Sequence, residues 1–168
     1  MVQVVFLDTN VILDYLENRD ETVKDIVERL LDRHKNGRVV LATSVFNIAE
    51  SIDKEFDIHF GKWGLTQKLA FDEIQKLRRD WRKFADVSKN HRYRVRESIE
   101  AFASKNGIAI YSVPPGAEQY DQLYELIYKY QLESQDALIV TAAVTNRTTY
   151  FLSNDSEVIV KTRDVTEL

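Results

Sequence analysis

The alternation of apolar and polar positions predicts strands and helices in turn. Residues 2–7 form a nearly continuous β-branched apolar run, which is the pattern of a strand buried on both faces in a parallel sheet. Polar residues that favour a helix start follow at 8–10, and apolar positions with helical spacing come after them. Further strand patterns occur at 38–42, 108–113 and 149–152, with a short fifth candidate at 158–160.

Helical patterns fill the segments between these strands. A helix over 21–36 is closed by Gly37, and Ser44 is a candidate N-cap for the next helix. Two more helices are predicted at 118–132 and 137–144, and the second is apolar on all sides and therefore expected to be buried. The alternation predicts a three-layer, doubly wound α/β fold with a mainly parallel sheet of four to five strands. We expect a single domain over residues 1–168, since no repeat or linker divides the chain.

The middle of the chain, about 65–105, has a long, charged, helical pattern. We expect two antiparallel helices there, standing off the main sheet. From Lys76 to Arg96 the chain carries nine basic residues against two acidic ones, although the whole chain has a net charge of −4. This segment is either a surface that binds a polyanion, a solvated helix pair, or a face that docks an acidic partner protein.

Composition excludes several kinds of chemistry. The chain has no Cys, and its three His show no metal-binding spacing, so thiol catalysis and soft-metal sites are not expected. Its five Gly form neither a P-loop nor a dinucleotide-binding motif. No apolar run approaches the ~18 residues of a membrane span, and no basic leader precedes the first strand, so we expect a cytoplasmic protein with no membrane partner.

Four acidic residues follow apolar segments in a related way. Asp8 and Asp155 each come directly after a predicted strand, in the similar contexts F-L-D-T-N and F-L-S-N-D. Glu50 lies in the helix after the second strand, and Asp136 lies in the first turn of the most apolar helix. Ligands bind at the carboxyl ends of the strands in such sheets. Carboxylates gathered there repel one another unless a cation joins them, and oxygen donors alone favour Mg²⁺ or Mn²⁺.

Each acid also has an ordinary structural interpretation. Asp8, Asp136 and Asp155 are suited to stabilising helix N-termini by ~0.5–2 kcal/mol apiece, and Glu50 fits a solvated helix face.

A haloacid-dehalogenase-type phosphatase also begins with a strand that ends in Asp. That class places a second Asp two residues later, where this chain has Asn10.

Four segments together resemble the PIN-domain ribonucleases, a family that includes the toxins of many toxin–antitoxin pairs. They are V-V-F-L-D-T-N-V-I-L-D-Y-L, A-T-S-V-F-N-I-A-E, S-Q-D-A-L-I-V-T-A-A-V and F-L-S-N-D, in that order along the chain. The resemblance implies that Asp8, Glu50, Asp136 and Asp155 are catalytic, metal-binding acids. It implies a supporting polar role for Asn10 and for the hydroxyl of Ser153.

The resemblance implies an Mg²⁺- or Mn²⁺-dependent endoribonuclease, with RNA as substrate and an antitoxin protein as a candidate partner. The ions would bridge the carboxylates and the scissile phosphate and would lower the pKa of a bound water. The alternative is a catalytically inactive PIN-fold scaffold that binds RNA or a partner protein. The chain is longer than the compact toxins, and the excess lies in the basic middle.

The basic middle supplies candidate RNA contacts. Phosphate contacts there would be sequence-independent and sensitive to salt, and Trp63, Trp81 or Tyr93 would stack on unpaired bases. The candidate phosphate-binding residues are Arg78, Arg79, Arg82, Lys83, Arg92, Arg94 and Arg96. Tyr120, Tyr124 and Tyr128 share one helix face, which predicts a packing stripe, with a homodimer interface as one candidate location.

Overall fold

Strands and helices alternate around one parallel sheet. A computed structural model describes residues 2–79, 85–113 and 116–163. The strands in this part of the chain are β1 (Gln3–Leu7), β2 (Val39–Ser44), β3 (Ala109–Tyr111) and β4 (Tyr150–Leu152). The helices are α1 (Thr9–Leu16), α2 (Glu21–Lys35), α3 (Val45–Thr66), α4 (Phe71–Arg79), α5 (Ala85–Asn106), α6 (Ala117–Tyr128), α7 (Ser134–Thr145) and α8 (Ser156–Thr162).

Strand β1 lies inside the sheet, between β2 and β4. The strand order is β3-β2-β1-β4, and all three pairings are parallel. Val5 and Leu7 pack on one face of the sheet and Phe6 packs on the other. Because both faces are covered, nearly every residue of this strand is apolar. The predicted three-layer, doubly wound α/β fold is confirmed, with four strands in the described residues.

Helices cover the two faces of the sheet. On one face, α1, α2, α3 and α5 share a core with β1 and β2. On the other face, α7 packs Ile139, Ala142 and Ala143 against Phe6 and Ala42. The opposite side of α7 packs against α6, which confirms that this all-apolar helix is buried. Among the described residues, no helix is both long and apolar enough to cross a membrane.

Three helices start at the carboxyl ends of strands, each with a polar cap. Asp8 caps α1, Ser44 caps α3 as predicted, and Asp155 caps α8. The Ser44 hydroxyl accepts hydrogen bonds from backbone N–H groups of α3, and the Asn47 side chain accepts one from the Ser44 N–H. These caps place polar side chains along one edge of the sheet.

The prediction of a fifth strand at 158–160 is wrong. These residues belong to α8, and the carboxylate of Asp155 accepts hydrogen bonds from the N–H groups of Glu157 and Val158 at its start. Val158 is buried against α6 and α7. A run of three apolar residues fits one turn of helix as well as a strand, so periodicity alone does not distinguish them.

The prediction that both middle helices stand off the sheet is wrong for α5. Ile99, Phe102 and Ala103 are buried in the same core as β1 and β2. Helix α4 packs instead on the second half of α3, where Ile74 joins Phe56 and Phe60 in a separate apolar cluster. The helical spacing of the three α5 residues places them on one face, which is the face that covers the sheet.

The tyrosine stripe of α6 lies on the surface of the described part of the chain. Tyr120, Tyr124 and Tyr128 are all exposed, and the rings of Tyr124 and Tyr128 stack on each other with centroids 6.2 Å apart. The stripe therefore adds nothing to the described core, and its location at a homodimer interface stays a prediction. Apolar burial by α6 depends on Leu126, on the other side of the helix.

Candidate active site

Asp8 is buried at the carboxyl end of β1. Its backbone N–H donates to the carbonyl of Leu152 at 3.0 Å, which fixes it beside the end of β4. One carboxylate oxygen, Oδ1, accepts a hydrogen bond from the N–H of Thr9 at 2.7 Å. The other, Oδ2, accepts one from the Ser153 hydroxyl at 2.6 Å. These bonds hold both oxygens in a defined orientation.

The burial of Asp8 has an electrostatic consequence. Loss of solvent raises the pKa of its carboxyl group, and the negative charge of Glu50 raises it further. The hydrogen bonds from Ser153 and Thr9 act in the opposite direction, because they stabilise the ionised form. The balance favours the protonated acid more than in water, so a positive charge nearby would stabilise the carboxylate.

Ser153 links Asp8 to the start of α8. Its hydroxyl donates to Asp8 and accepts the backbone N–H of Asp155 at 3.0 Å. The Asp155 carboxylate caps α8, which is the ordinary structural role considered for it. The charge of Asp155 nevertheless raises the pKa of Asp136, so Asp155 interacts with another candidate acid while it caps α8.

Glu50 is buried on α3, beside a lysine and an asparagine. The Lys54 ammonium lies 2.8 Å from Oε1 of Glu50 and donates a 2.9 Å hydrogen bond to Oδ1 of Asn10. Lys54 follows Glu50 by one helical turn, which places both on one face of α3. Asn10 thus reaches the same group of side chains from the first turn of α1.

Asp136 lies in the first turn of α7 and is half-buried. Burial is the main cause that raises its pKa to about 6, and the charges of Glu50, Asp8 and Asp155 raise it further. Lys54 lowers it. The structure therefore brings the four acids into one electrostatic neighbourhood at the carboxyl edge of the sheet, although they come from four separate parts of the chain.

Sequence reasoning missed Asn47 and Lys54 at this site. Asn47 is fully buried, and its Nδ2 donates to Oγ1 of Thr9 at 3.0 Å and lies 3.4 Å from Oδ1 of Asp8. The spacing Ser44-x-x-Asn47 was a readable signal, because it allows reciprocal capping. For Lys54, the signal was its position one turn after Glu50.

Two of the predicted RNA-binding arginines line a cleft that reaches Glu50. Arg78 of α4 forms an ion pair with Asp57, and Arg92 of α5 lies over the Phe56 ring, 4.4 Å from its centroid. Arg92 also lies 3.6 Å from Asp53. The cleft has a volume of about 430 Å³.

The other candidate RNA-binding residues either do not line this cleft or lie outside the described residues. Arg94 is exposed on α5, and Arg96 pairs with Glu100 one turn along the same helix. Tyr93 is exposed, whereas Trp63 packs against Phe60. The Arg79 side chain and residues Trp81, Arg82 and Lys83 lie outside the described part of the structure.

The donor chemistry of the acidic group fits a hard divalent cation. Carboxylate, hydroxyl and amide oxygens are the ligands that Mg²⁺ and Mn²⁺ prefer. Three carboxylates raise the pKa of Asp136 and one ammonium lowers it, so the local charge is in negative excess. Within the described residues, no three Asp, Glu or His side chains already stand close enough to form a metal-ligand group.

Comparison with known proteins assigns the chain to a family. Residues 5–164 match the family model described as PIN domain, which covers nearly the whole chain from β1 to the end of α8. A comparison with curated proteins finds no significant match. PIN domains are in general nucleases. On the strength of this match and of its four-stranded parallel sheet, the chain belongs to the PIN-domain family.

Proposed function

We propose that this protein is an Mg²⁺- or Mn²⁺-dependent endoribonuclease, whose site is formed by Asp8, Glu50, Asp136 and Asp155. The main support is the position of Asp8, which is buried at the carboxyl end of β1 with its two carboxylate oxygens oriented by Thr9 and Ser153. The pKa of Asp136, raised mainly by burial and further by the other three carboxylates, agrees with this. Perturbed acids at the ligand-binding edge of an α/β sheet are candidates for catalysis. Membership of a nuclease family supports the reaction class.

Asp8 and Asp136 are the residues we assign to hold the ion directly, with Glu50 and Asp155 binding it or supporting it. When bound, the ion supplies positive charge to the reacting phosphate and lowers the pKa of water. Asp8 suits this role because Thr9 and Ser153 orient its two oxygens. The excess of negative charge disfavours a metal-free, fully ionised site.

Three further residues orient these acids or balance their charge. Ser153 holds Asp8 against the start of α8, and buried Asn47 supports Asp8 from α3. Lys54 partly neutralises Glu50 in the absence of a metal. Residues that orient metal ligands in this way commonly change affinity or activity by ~10–100-fold when they are removed.

Purified protein tests the proposal directly. It should hydrolyse RNA with Mn²⁺ or Mg²⁺ and stop in excess EDTA. Asp8→Asn and Asp136→Asn should each reduce the rate by at least ~10²-fold while the fold, followed by circular dichroism, is retained. Asp25→Asn, which removes an exposed carboxylate on α2, is the matched control and should cleave at the wild-type rate.

The inactive scaffold is the alternative outcome of the same experiment. It predicts binding of RNA or protein that does not depend on metal, with no cleavage. Equal RNA hydrolysis by wild type, Asp8→Asn and Asp136→Asn, or hydrolysis that persists in EDTA, would contradict the proposed site.

The toxin role suggested by the sequence resemblance has a separate test. Expression of the wild-type protein should arrest growth, and Asp8→Asn should not. An antitoxin partner should restore growth when it is expressed together with the wild type. Growth that continues despite demonstrated ribonuclease activity would separate the nuclease from a toxin.

A further inference from the structure

The cleft beside Glu50 joins the acidic site to the basic helices. Its lining includes Glu50 and Lys54 of α3 together with Arg78 of α4 and Arg92 of α5. Gln135, the residue before Asp136, also lines it. A ligand in this cleft would therefore touch the arginines while its end remained next to the carboxylates.

Helix α3 fixes the spacing between the acids and the arginines. Asp53 and Asp57 follow Glu50 by three and seven residues, so the three side chains share one face of the helix. Asp53 lies near Arg92 and Asp57 pairs with Arg78. With a rise of ~1.5 Å per residue, these pairs lie roughly 4.5 Å and 10.5 Å along the helix from Glu50.

We propose that this cleft binds the sugar–phosphate backbone of a single nucleic-acid strand beside the cleaved bond, with Arg78 and Arg92 releasing Asp57 and Asp53 to bind its phosphates. This inference rests on the proposed function. The aspartates hold the guanidinium groups in place until substrate arrives. The arginines then bind at a fixed distance from Glu50.

Release of Asp57 and Asp53 costs little, because both of these ion pairs are exposed. Both Arg78 and Asp57 are more than one-third exposed, as are Arg92 and Asp53. Exposed ion pairs contribute ~0–1 kcal/mol. Phosphate accepts two parallel hydrogen bonds from a guanidinium group, and its binding releases counterions. The Phe56 ring under Arg92 limits how far that side chain moves during the exchange.

The size of the cleft favours one strand over a duplex. Its volume of about 430 Å³ lies in the range of ligand pockets, ~300–1,000 Å³. A duplex presents two backbones and stacked pairs, which are too bulky for this space. An acidic protein segment would also bind the arginines, and the following experiment distinguishes it from RNA.

Affinity for a short fluorescent single-stranded RNA tests the proposal. It is measured with Mg²⁺ in an Asp136→Asn background, so that RNA is not cut. Arg78→Gln and Arg92→Gln should each weaken binding roughly tenfold and reduce the slope of log affinity against log salt by about 0.7. Arg96→Gln is the matched control, since Arg96 is an exposed arginine of α5 that pairs with Glu100 and does not line the cleft. It should change affinity less than about twofold.

Asp57→Asn should change RNA affinity in the opposite direction. A gain in affinity cannot be the result of a folding defect. If Arg78 serves phosphates, removal of its competitor should tighten RNA binding severalfold. If Arg78 only anchors α4, Asp57→Asn should leave RNA affinity unchanged or weaken it. Equal binding of a duplex of the same sequence would also overturn the single-strand proposal.

The outcomes separate this inference from the proposed function. RNA binding that depends on Arg78 and Arg92 in a protein that never cleaves RNA would support the cleft and refute the nuclease. Cleavage that depends on Asp8 while folded Arg78→Gln and Arg92→Gln bind RNA normally would refute the cleft and support the nuclease. An acidic protein partner then becomes the better explanation of the arginines.

Discussion

The Ser153 hydroxyl donates to Oδ2 of Asp8 at 2.6 Å and accepts the backbone N–H of Asp155 at 3.0 Å. One small side chain therefore connects two candidate acids that are 147 residues apart in sequence. The bond to Asp8 lowers the pKa of that carboxyl group, in opposition to its burial. Ser153 thereby favours the ionised form of Asp8, which is the form that binds a cation.

Ser153→Ala should weaken Mn²⁺ binding. Without the hydroxyl, the pKa of Asp8 rises further, and we expect affinity to fall ~10-fold, with a larger loss at pH 5.5 than at pH 8. Calorimetric titration of Mn²⁺ at both pH values measures the change. Ser153→Thr keeps a hydroxyl and should retain most of the affinity. A loss of the same size in both variants would point to packing as the cause.

Asp136→Asn should stabilise the metal-free protein above pH 6. The folded pKa of Asp136 is about 6, above its value of 3.8 in the unfolded chain, so the wild type loses stability as pH rises between these values. Because the group is half-exposed, we discount the effect for solvent screening and expect a gain of about 1 kcal/mol at pH 7. At about pH 2.5, where both states are almost fully protonated, the gain should vanish.

Urea denaturation in EDTA at several pH values measures this stability difference. Asp25→Asn, which replaces an exposed carboxylate on α2, serves as the control. A difference between Asp136→Asn and wild type that stayed constant with pH would contradict the electrostatic origin of the raised pKa.

Lys54→Met should weaken the fold and strengthen metal binding. Removal of the ammonium leaves buried Glu50 without the cation that lies 2.8 Å away, and we expect a loss of about 1–3 kcal/mol without metal. At pH 8 the loss of a neighbouring positive charge should tighten Mn²⁺ binding severalfold. Denaturation and calorimetric titration measure the two effects.

Lys129→Met is the matched control for Lys54→Met. Lys129 makes a 2.8 Å pair with Glu125 at the same helical spacing, but both partners are exposed. Its loss should destabilise the fold much less than the loss of Lys54 does, because solvent screens an exposed pair. Weaker Mn²⁺ binding in Lys54→Met would show that Lys54 supports the ion instead of competing with it.

Gly64→Ala should destabilise the junction of α3 and α4. A Cβ at this position would lie 2.5 Å from Cγ1 of Ile74, and Ile74 is buried. We expect a net loss of about 1–2 kcal/mol, because overpacking exceeds the gain in helix propensity. Gly61→Ala in the same helix meets no atom within 4 Å and should be stabilising by ~0.5–1 kcal/mol. Equal thermal shifts in the two variants would contradict this packing.

The sequence predicted those features that depend on local patterns. The apolar run of β1 and the cap at Ser44 are local, and the structure has both. The α/β fold followed from the order of such elements. The three apolar residues at 158–160 carried too little local information, and their helix depends on the cap by Asp155 and on burial against α6 and α7.

Features that depend on packing between distant segments were harder to predict. The position of α5 follows from burial of Ile99 and Phe102 against the sheet, which no local pattern specifies. Asn47 and Lys54 reach the site because α3 lies beside α1. The pairing of Arg78 and Arg92 with aspartates of α3 depends on the same tertiary arrangement. The roles of the four acids stay predictions.

Helix α3 continues for 22 residues from the cap at Ser44 past Glu50 to the cluster around Phe60. Its first half belongs to the sheet core, and its second half carries the packing of α4. Substitutions in the second half can therefore change how α4 presents Arg78 while Glu50 keeps its place beside the sheet. If the proposed cleft binds substrate, its preference for a target would be easier to alter than the chemistry of the acids.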